Sequence, residues 1–187
     1  MFFDKLGLWN KIKGANILHF APETHFSQRI VDSNPAKYVK ADLTPATYWY
    51  IKDVIKMDAT KVEFPDNTFD FFIANHILEH VPDYKKVLSE TFRVLKPGGI
   101  AILQTPFESA LINNIEDEGI TSPELRIQYY GQWDHVRMFS EARLLESIRD
   151  AGFKLEIVKH EDFFSSAEGE YYGTSPSEYL LKAVKVG

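Results

Sequence analysis

Short apolar runs alternate along this chain with stretches whose apolar residues recur every three or four positions. Asn16–Phe20 (N-I-L-H-F) is the first run, and Lys37–Ala41 (K-Y-V-K-A) is a second that ends at Asp42. Asp53–Met57 gives a third. Phe69–Ala74 gives a fourth, with no polar face, as expected of a strand covered on both sides. Ile100–Gln104, Lys154–Lys159 and Glu178–Lys185 bring the predicted strands to seven.

Between them the period lengthens to that of a helix. Phe2, Phe3, Leu6 and Trp9 predict one short amphipathic helix over Phe2–Lys13, ended by Gly14. Phe26 and Ile30, four apart, predict a second from Glu23 until Asn34-Pro35 stops it. Asp83–Leu95 sets Val87, Leu88, Thr91, Phe92 and Leu95 on one side, and Pro97-Gly98-Gly99 ends it. Ser140 is placed to cap a last helix carrying Leu144, Leu145, Ile148 and Ala151, closed by Gly152. The polar, aromatic stretch Leu111–Met138 shows neither period and is too long for an ordinary connection, a property of functional or disordered loops. Strands alternating with helices imply a mostly parallel sheet with right-handed crossovers. No repeat or linker divides the chain, so residues 1–187 are read as one domain.

Composition narrows the function classes. A net charge of −6 argues against a nucleic-acid partner, which usually meets a basic face. The absence of cysteine excludes disulfides, thiolate metal sites and a cysteine nucleophile together. The first residues carry Asp4 and no long apolar run, unlike a secretory signal, and no apolar stretch reaches the ~20 residues of a membrane span. A cytoplasmic protein without membrane or nucleic-acid partners is the expectation.

The polar residues that follow the strands carry the candidate chemistry. His19, Asp42, Asp58, Asn75 and His76 all fall where an open parallel sheet binds ligands, beyond the carboxyl ends of its strands. An acid there can accept hydrogen bonds from ribose hydroxyls, although a single acid after a strand is also a common turn former.

From Lys56 to Gly99 the chain reads as an acid ending one strand, a buried strand ending in A-N-H-I-L-E-H-V, a helix, and V-L-K-P-G-G. This order resembles the middle of the class I S-adenosylmethionine-dependent methyltransferases, of the type 11-like kind. The resemblance covers nearly the whole chain. It implies a Rossmann-like α/β fold: a seven-stranded, mostly parallel sheet in the order 3-2-1-4-5-7-6, with the last strand antiparallel and helices on both faces. It implies S-adenosyl-L-methionine as cofactor and methyl transfer to a small-molecule oxygen or nitrogen acceptor as activity. Asp42 would hold the adenosine ribose, Asp58 and Ala59 the adenine edge, and Asn75 and His76 would border the sulfonium. The first loop departs from the family pattern of an acid followed by glycines. It reads His19-Phe20-Ala21-Pro22-Glu23, a variant found in some members, and His19, Phe20, Ala21 and Pro22 would still wrap the cofactor.

In-line displacement at sulfonium needs positioning, exclusion of water and, for a hydroxyl or amine, a base. His76, His80 and His135 are candidates. His135 is the first choice, in a G-Q-W-D-H-V-R run that resembles an element of the same subfamily, with Asp134 beside it to orient the ring. Arg137 could pair with an anionic substrate, Asp134 or Glu141. Two other classes compete. His76-Ile77-Leu78-Glu79-His80 fits H-x-x-E-H, a zinc hydrolase signature when carried on a helix, but Pro82 breaks the segment, and no metal ligand is assigned. A non-catalytic binder of the same fold would explain the missing glycines. The aromatic runs Tyr48-Trp49-Tyr50, Tyr129-Tyr130, Phe163-Phe164 and Tyr171-Tyr172, with Trp133, suit a lid, a second core layer or a homodimer face alike.

Overall fold

The structure, a computed structural model, describes residues 1–173 and 179–187. Two short helices, α1 (Phe2–Lys5) and α2 (Leu8–Ile12), lead into β1 (Asn16–Phe20). They replace the single helix expected over Phe2–Lys13. Gly7 takes φ 62° between them, a left-handed turn that lets both Phe3 and Leu8 face inward. Next come α3 (Thr24–Asp32), β2 (Lys37–Asp42), β3 (Val54–Lys56) and β4 (Phe69–Ala74). After them stand α4 (Tyr84–Val94) and β5 (Leu95–Ile102), which begins earlier than its apolar run. The two-residue strands β6 (Phe107–Glu108) and β7 (Phe139–Ser140) pair with each other and bracket α5 (Pro123–Tyr130). The chain closes with α6 (Glu141–Asp150), β8 (Phe153–Lys159), α7 (Ser166–Tyr172) and β9 (Tyr179–Lys185). The expected start of the final strand at Glu178 lies outside the described residues.

The main sheet has the order β3-β2-β1-β4-β5-β9-β8, parallel except for β9, which runs antiparallel to both neighbours. Counted over the sheet strands alone, this is the expected 3-2-1-4-5-7-6. Side chains of β4 point alternately to two cores: Phe72 and Ala74 belong to one with Val87, Leu88, Leu144 and Ile148, while Phe71 and Ile73 belong to the other with Phe3, Ile12 and Ile30. Both faces are thus covered by helices, which explains why this strand has no polar face. Among the described residues no helix is long and apolar enough to cross a membrane.

Three local expectations are corrected. The stretch 111–138 contains α5, with the Ser122 hydroxyl capping the Leu125 N–H, Pro123 in the first turn, and Gly131 at φ 85° ending it. Of its side chains only Tyr130 is buried, so no apolar stripe announces the helix. Ser140 does precede α6, yet its hydroxyl donates to the Leu111 carbonyl at 2.8 Å and caps nothing. Residues 76–80 form turns, with His76 at φ 54°, so His76 and His80 do not share a helical face. The zinc hydrolase arrangement read from H-x-x-E-H requires that face and is absent.

What holds this irregular segment is Arg137. Its guanidinium, in a side chain only 2% exposed, donates to the carbonyls of Leu78 at 2.7 Å, Val81 at 2.5 Å and Pro82 at 2.7 Å. Glu116 supplies the counter-charge, with Oε1 3.3 Å from Nε. Neither side-chain partner expected from sequence, Asp134 or Glu141, is the one it uses. The guanidinium also lies over the rings of Tyr84 and Phe139, at 4.7 and 5.5 Å from their centroids.

Two stability measurements check this account. Gly152, at φ 101°, has room for no methyl group: a Cβ would stand 2.8 Å from the Phe92 ring, so Gly152→Ala is expected to cost about 2 kcal/mol in urea unfolding. Arg137→Met strands three carbonyls and is expected to cost at least about 3 kcal/mol, with Arg137→Lys recovering less than half because an ammonium lacks the planar fork. A loss under about 1 kcal/mol for Arg137→Met would contradict the assigned role.

Candidate functional site

The carboxyl ends of β1, β4 and β5 open into a cleft of about 800 Å³ whose wall includes Glu23, Asn75, His76, Gln104, Phe107 and Tyr179. It sits where the strand order reverses, between β1 and β4, the position at which open α/β sheets bind ligands. β9 is antiparallel, so its first residue, Tyr179, reaches the same edge and stacks on Phe107 at 4.9 Å.

The first loop accomplishes its turn without glycine. Ala21 takes φ 48°, in the left-handed region that glycine adopts without strain, and its N–H donates to the Ala41 carbonyl at 3.0 Å. Phe20 and Pro22 are buried beneath it. His19 does not reach the cleft at all: it is 0% exposed, with Nδ1 2.8 Å from the Tyr38 hydroxyl and Nε2 2.8 Å from a Glu23 carboxylate oxygen. It is a positioning residue for Glu23. The other Glu23 oxygen accepts from the Asn75 amide at 2.9 Å, so one carboxylate ties the loop after β1 to the loop after β4. Partial burial works to raise its pKa, but His19 and Asn75 hold the carboxyl below the usual range. Glu23 and Tyr38 were missed from sequence. In sequence the glutamate stands in the loop where the family carries glycines, and nothing local shows that it returns to the residue at the root of its own turn.

Asp42 and Asp58 share one local geometry. The Asp42 Oδ1 accepts from the Thr44 N–H at 2.7 Å and its hydroxyl at 3.1 Å; the Asp58 Oδ1 does the same with Thr60 at 2.8 and 2.7 Å. The turn-forming role weighed for Asp58 is therefore present, and both acids have it. These turns fix each carboxylate at the strand end while Ala59 is buried behind. Burial first, and then the Asp42 charge, push the Tyr48 hydroxyl far above its ordinary pKa.

His76 is the candidate base that lines the cleft, with Nδ1 3.3 Å from the buried Glu79 carboxylate. That contact raises its pKa from the ordinary imidazole value against a smaller opposing effect of burial. His135 is placed elsewhere. It is 8% exposed, packs edge-on against His80 at 4.7 Å, and binds the Tyr130 carbonyl through Nδ1 at 3.0 Å. The cleft wall does not include it. Asp134 does not orient His135 as expected; its Oδ2 faces His80 Nδ1 at 3.4 Å, and its Oδ1 accepts from Gln132.

With this geometry in place, the similarities to known proteins become specific. Residues 14–103 match the family described as "Methyltransferase domain". The chain is 32% identical over 111 residues to sterol 24-C-methyltransferase ERG6A of Gibberella zeae, a match covering 59% of this chain and 28% of that protein. It is 39% identical over 83 residues to a demethylmenaquinone methyltransferase of Listeria monocytogenes, covering 42% of this chain and 32% of the relative. The chain thus spans about a third or less of the curated relatives' length. A solved S-adenosylmethionine dependent methyltransferase from Mesorhizobium loti shares the fold, with a TM-score of 0.64, 15% identity, and 97% and 96% of the two chains covered. Residues 14–103 thus match a methyltransferase domain, and the sheet, in the order β3-β2-β1-β4-β5-β9-β8, shares the fold of the solved S-adenosylmethionine dependent methyltransferase.

Proposed function

We infer that this protein binds S-adenosylmethionine across β1, β2 and β4 and transfers its methyl group to a small-molecule oxygen or nitrogen acceptor. The observation that carries the reading is the Glu23 carboxylate, held at the cleft edge by His19 and Asn75. The family's usual acid stands at the end of β1, where this chain has His19. Glu23 returns a negative charge to the same place, suited to an ammonium group.

The donor set fits the cofactor elsewhere too. The Asn75 side-chain oxygen is buried without a hydrogen-bond partner among the described residues and can accept from a ligand donor. Asp42, whose carboxylate is fixed by Thr44, would take the ribose hydroxyls, and Asp58 with Ala59 the adenine edge. Ala21 and Pro22 carry backbone past the ligand. A left-handed alanine serves here because the ligand has no phosphate for the backbone to approach closely. Bound there, the cofactor supplies an electrophilic methyl carbon on sulfonium.

The chain's own groups then orient an acceptor and exclude water. Phe107 and Tyr179 line the cleft with aromatic surface, and the curated relatives are named for a sterol and a menaquinone precursor, which supports a small-molecule acceptor. The sterol relative's name specifies methylation at carbon, whereas His76 on the cleft wall favours a heteroatom acceptor here, since an imidazole can take the proton of a hydroxyl or amine. We place His76 rather than His135 in that role because His135 is sealed behind the loop.

Calorimetric titration with S-adenosylhomocysteine tests the site. The wild-type protein is expected to bind, Asp42→Ala to weaken binding at least about tenfold, and Glu23→Gln to weaken it about tenfold through loss of one charge-assisted bond. Glu23→Gln that binds as wild type would remove the ammonium assignment, and no binding by the wild type would overturn the cofactor reading. With labelled S-adenosylmethionine and an accepted substrate, His76→Ala is expected to lower kcat by about a hundredfold or more with KM for the cofactor little changed.

A further inference from the structure

We propose that Glu79, His80 and His135 form a binding site for a divalent first-row transition ion, with zinc as the representative, clamping the loop after β4 to the segment 132–137. One ligand atom from each of the three lies within 4.8 Å of the others. The set joins two positions on one turn to a third 56 residues away, a number given by the difference between positions 135 and 79. It is independent of the methyl-transfer reading, and it is a different arrangement from the one the H-x-x-E-H run suggested, because His76 stands outside it on the cleft wall.

Three observations point to an ion. The Glu79 side chain is 1% exposed, and neither carboxylate oxygen has a hydrogen-bond partner among the described residues. A buried carboxylate without hydrogen bonds is costly unless a cation compensates it, and the partly exposed imidazole of His76 stands 3.3 Å away. Second, both histidines already use one ring nitrogen: Nδ1 of His80 faces the Asp134 carboxylate at 3.4 Å, and Nδ1 of His135 meets the Tyr130 carbonyl at 3.0 Å. A carboxylate or carbonyl behind the far nitrogen is the usual arrangement around metal-bound imidazoles, because it fixes the tautomer and leaves Nε2 unprotonated to bind. Third, two imidazoles and a carboxylate are the donor set of zinc sites that keep a further position for water, and the chain has no cysteine to compete.

Ligand atoms about 2.1 Å from a tetrahedral ion stand roughly 3.4 Å apart, so binding draws the three side chains inward from the separations seen here. His80 is the one free to move, since its side chain is 29% exposed. Val136 N–H donates to the Glu79 carbonyl at 2.9 Å, so the two segments are already in register for the ion to cross-link.

Titration of chelator-stripped, full-length protein with Co²⁺ and with Zn²⁺ decides the matter. The expected result is one equivalent bound, a visible Co²⁺ absorption of tetrahedral type that Zn²⁺ displaces, and a rise in Tm with either ion. His80→Ala, at a partly exposed position, is expected to keep the fold by circular dichroism and to weaken uptake at least about tenfold, while His25→Ala on the exposed surface leaves it unchanged. Glu79→Gln is expected to abolish the cobalt spectrum. Absence of saturable binding would overturn the proposal, as would an equivalent of ion that persists in both His80→Ala and Glu79→Gln.

Discussion

A planar cation buried under an irregular loop is the constraint on which this structure depends. The segment from Asn75 to Asp83 leaves the sheet and enters α4 without regular structure, so its carbonyls have no ladder to join. Buried carbonyls left unpaired would cost more than the segment's few apolar contacts return. Arg137 meets three of them with one fork of donors, and Glu116 and two aromatic rings make its own burial tolerable. Once the loop is fixed, Leu78 enters the core, Asp83 accepts from the Lys86 N–H to cap α4, and His76 is turned toward the cleft. Residues of the matched segment and of the segment that follows it thus share one small volume.

The first loop shows a second solution of the same kind. Where family members use glycines to bring backbone close to the ligand, this chain uses a strained alanine and a side-chain network. Ser27, Tyr38 and His19 form a line of contacts at 2.8–2.9 Å that ends on Glu23. The network spans β1, β2 and α3, so the charge at the cleft edge is positioned by the sheet rather than by the loop alone. A loop held this way is stiffer than a glycine turn, and its shape depends on a histidine that is fully buried and outside the cleft wall.

Much of the fold was legible because the strands are short, apolar and well separated. Asn16–Phe20, Lys37–Asp42 and Phe69–Ala74 stand where the alternation put them, and strand order followed from the resemblance. Helix α5 was not legible from periodicity, since Leu125, Ile127 and Tyr129 face outward; its signal was the Ser122-Pro123 start and the Gly131 stop. The candidate site was legible only in part. Asp42, Asp58, Asn75 and His76 stand at or just beyond strand ends, as the sequence indicated, because a strand end is a local property; of these, Asn75 and His76 line the cleft. His135 and Asp134 were paired by adjacency in sequence, yet successive residues point apart, and the fold gives one to the Tyr130 carbonyl and the other to His80. The true work of Arg137 is with backbone carbonyls more than fifty residues away, for which no sequence pattern exists.

The most direct test of this account is amide hydrogen exchange on the wild type and on Arg137→Lys, resolved for His76, His80 and Val136. In the wild type these amides donate to Gln104, Ile77 and Glu79 carbonyls at 2.7, 3.0 and 2.9 Å and should be protected. If Arg137 holds the loop, the variant loses protection at His80 and Val136 by about a hundredfold or more while amides of β1 and β4 change far less. Equal loss across the sheet, or unchanged protection at His80 and Val136, would show that the loop is held by something else.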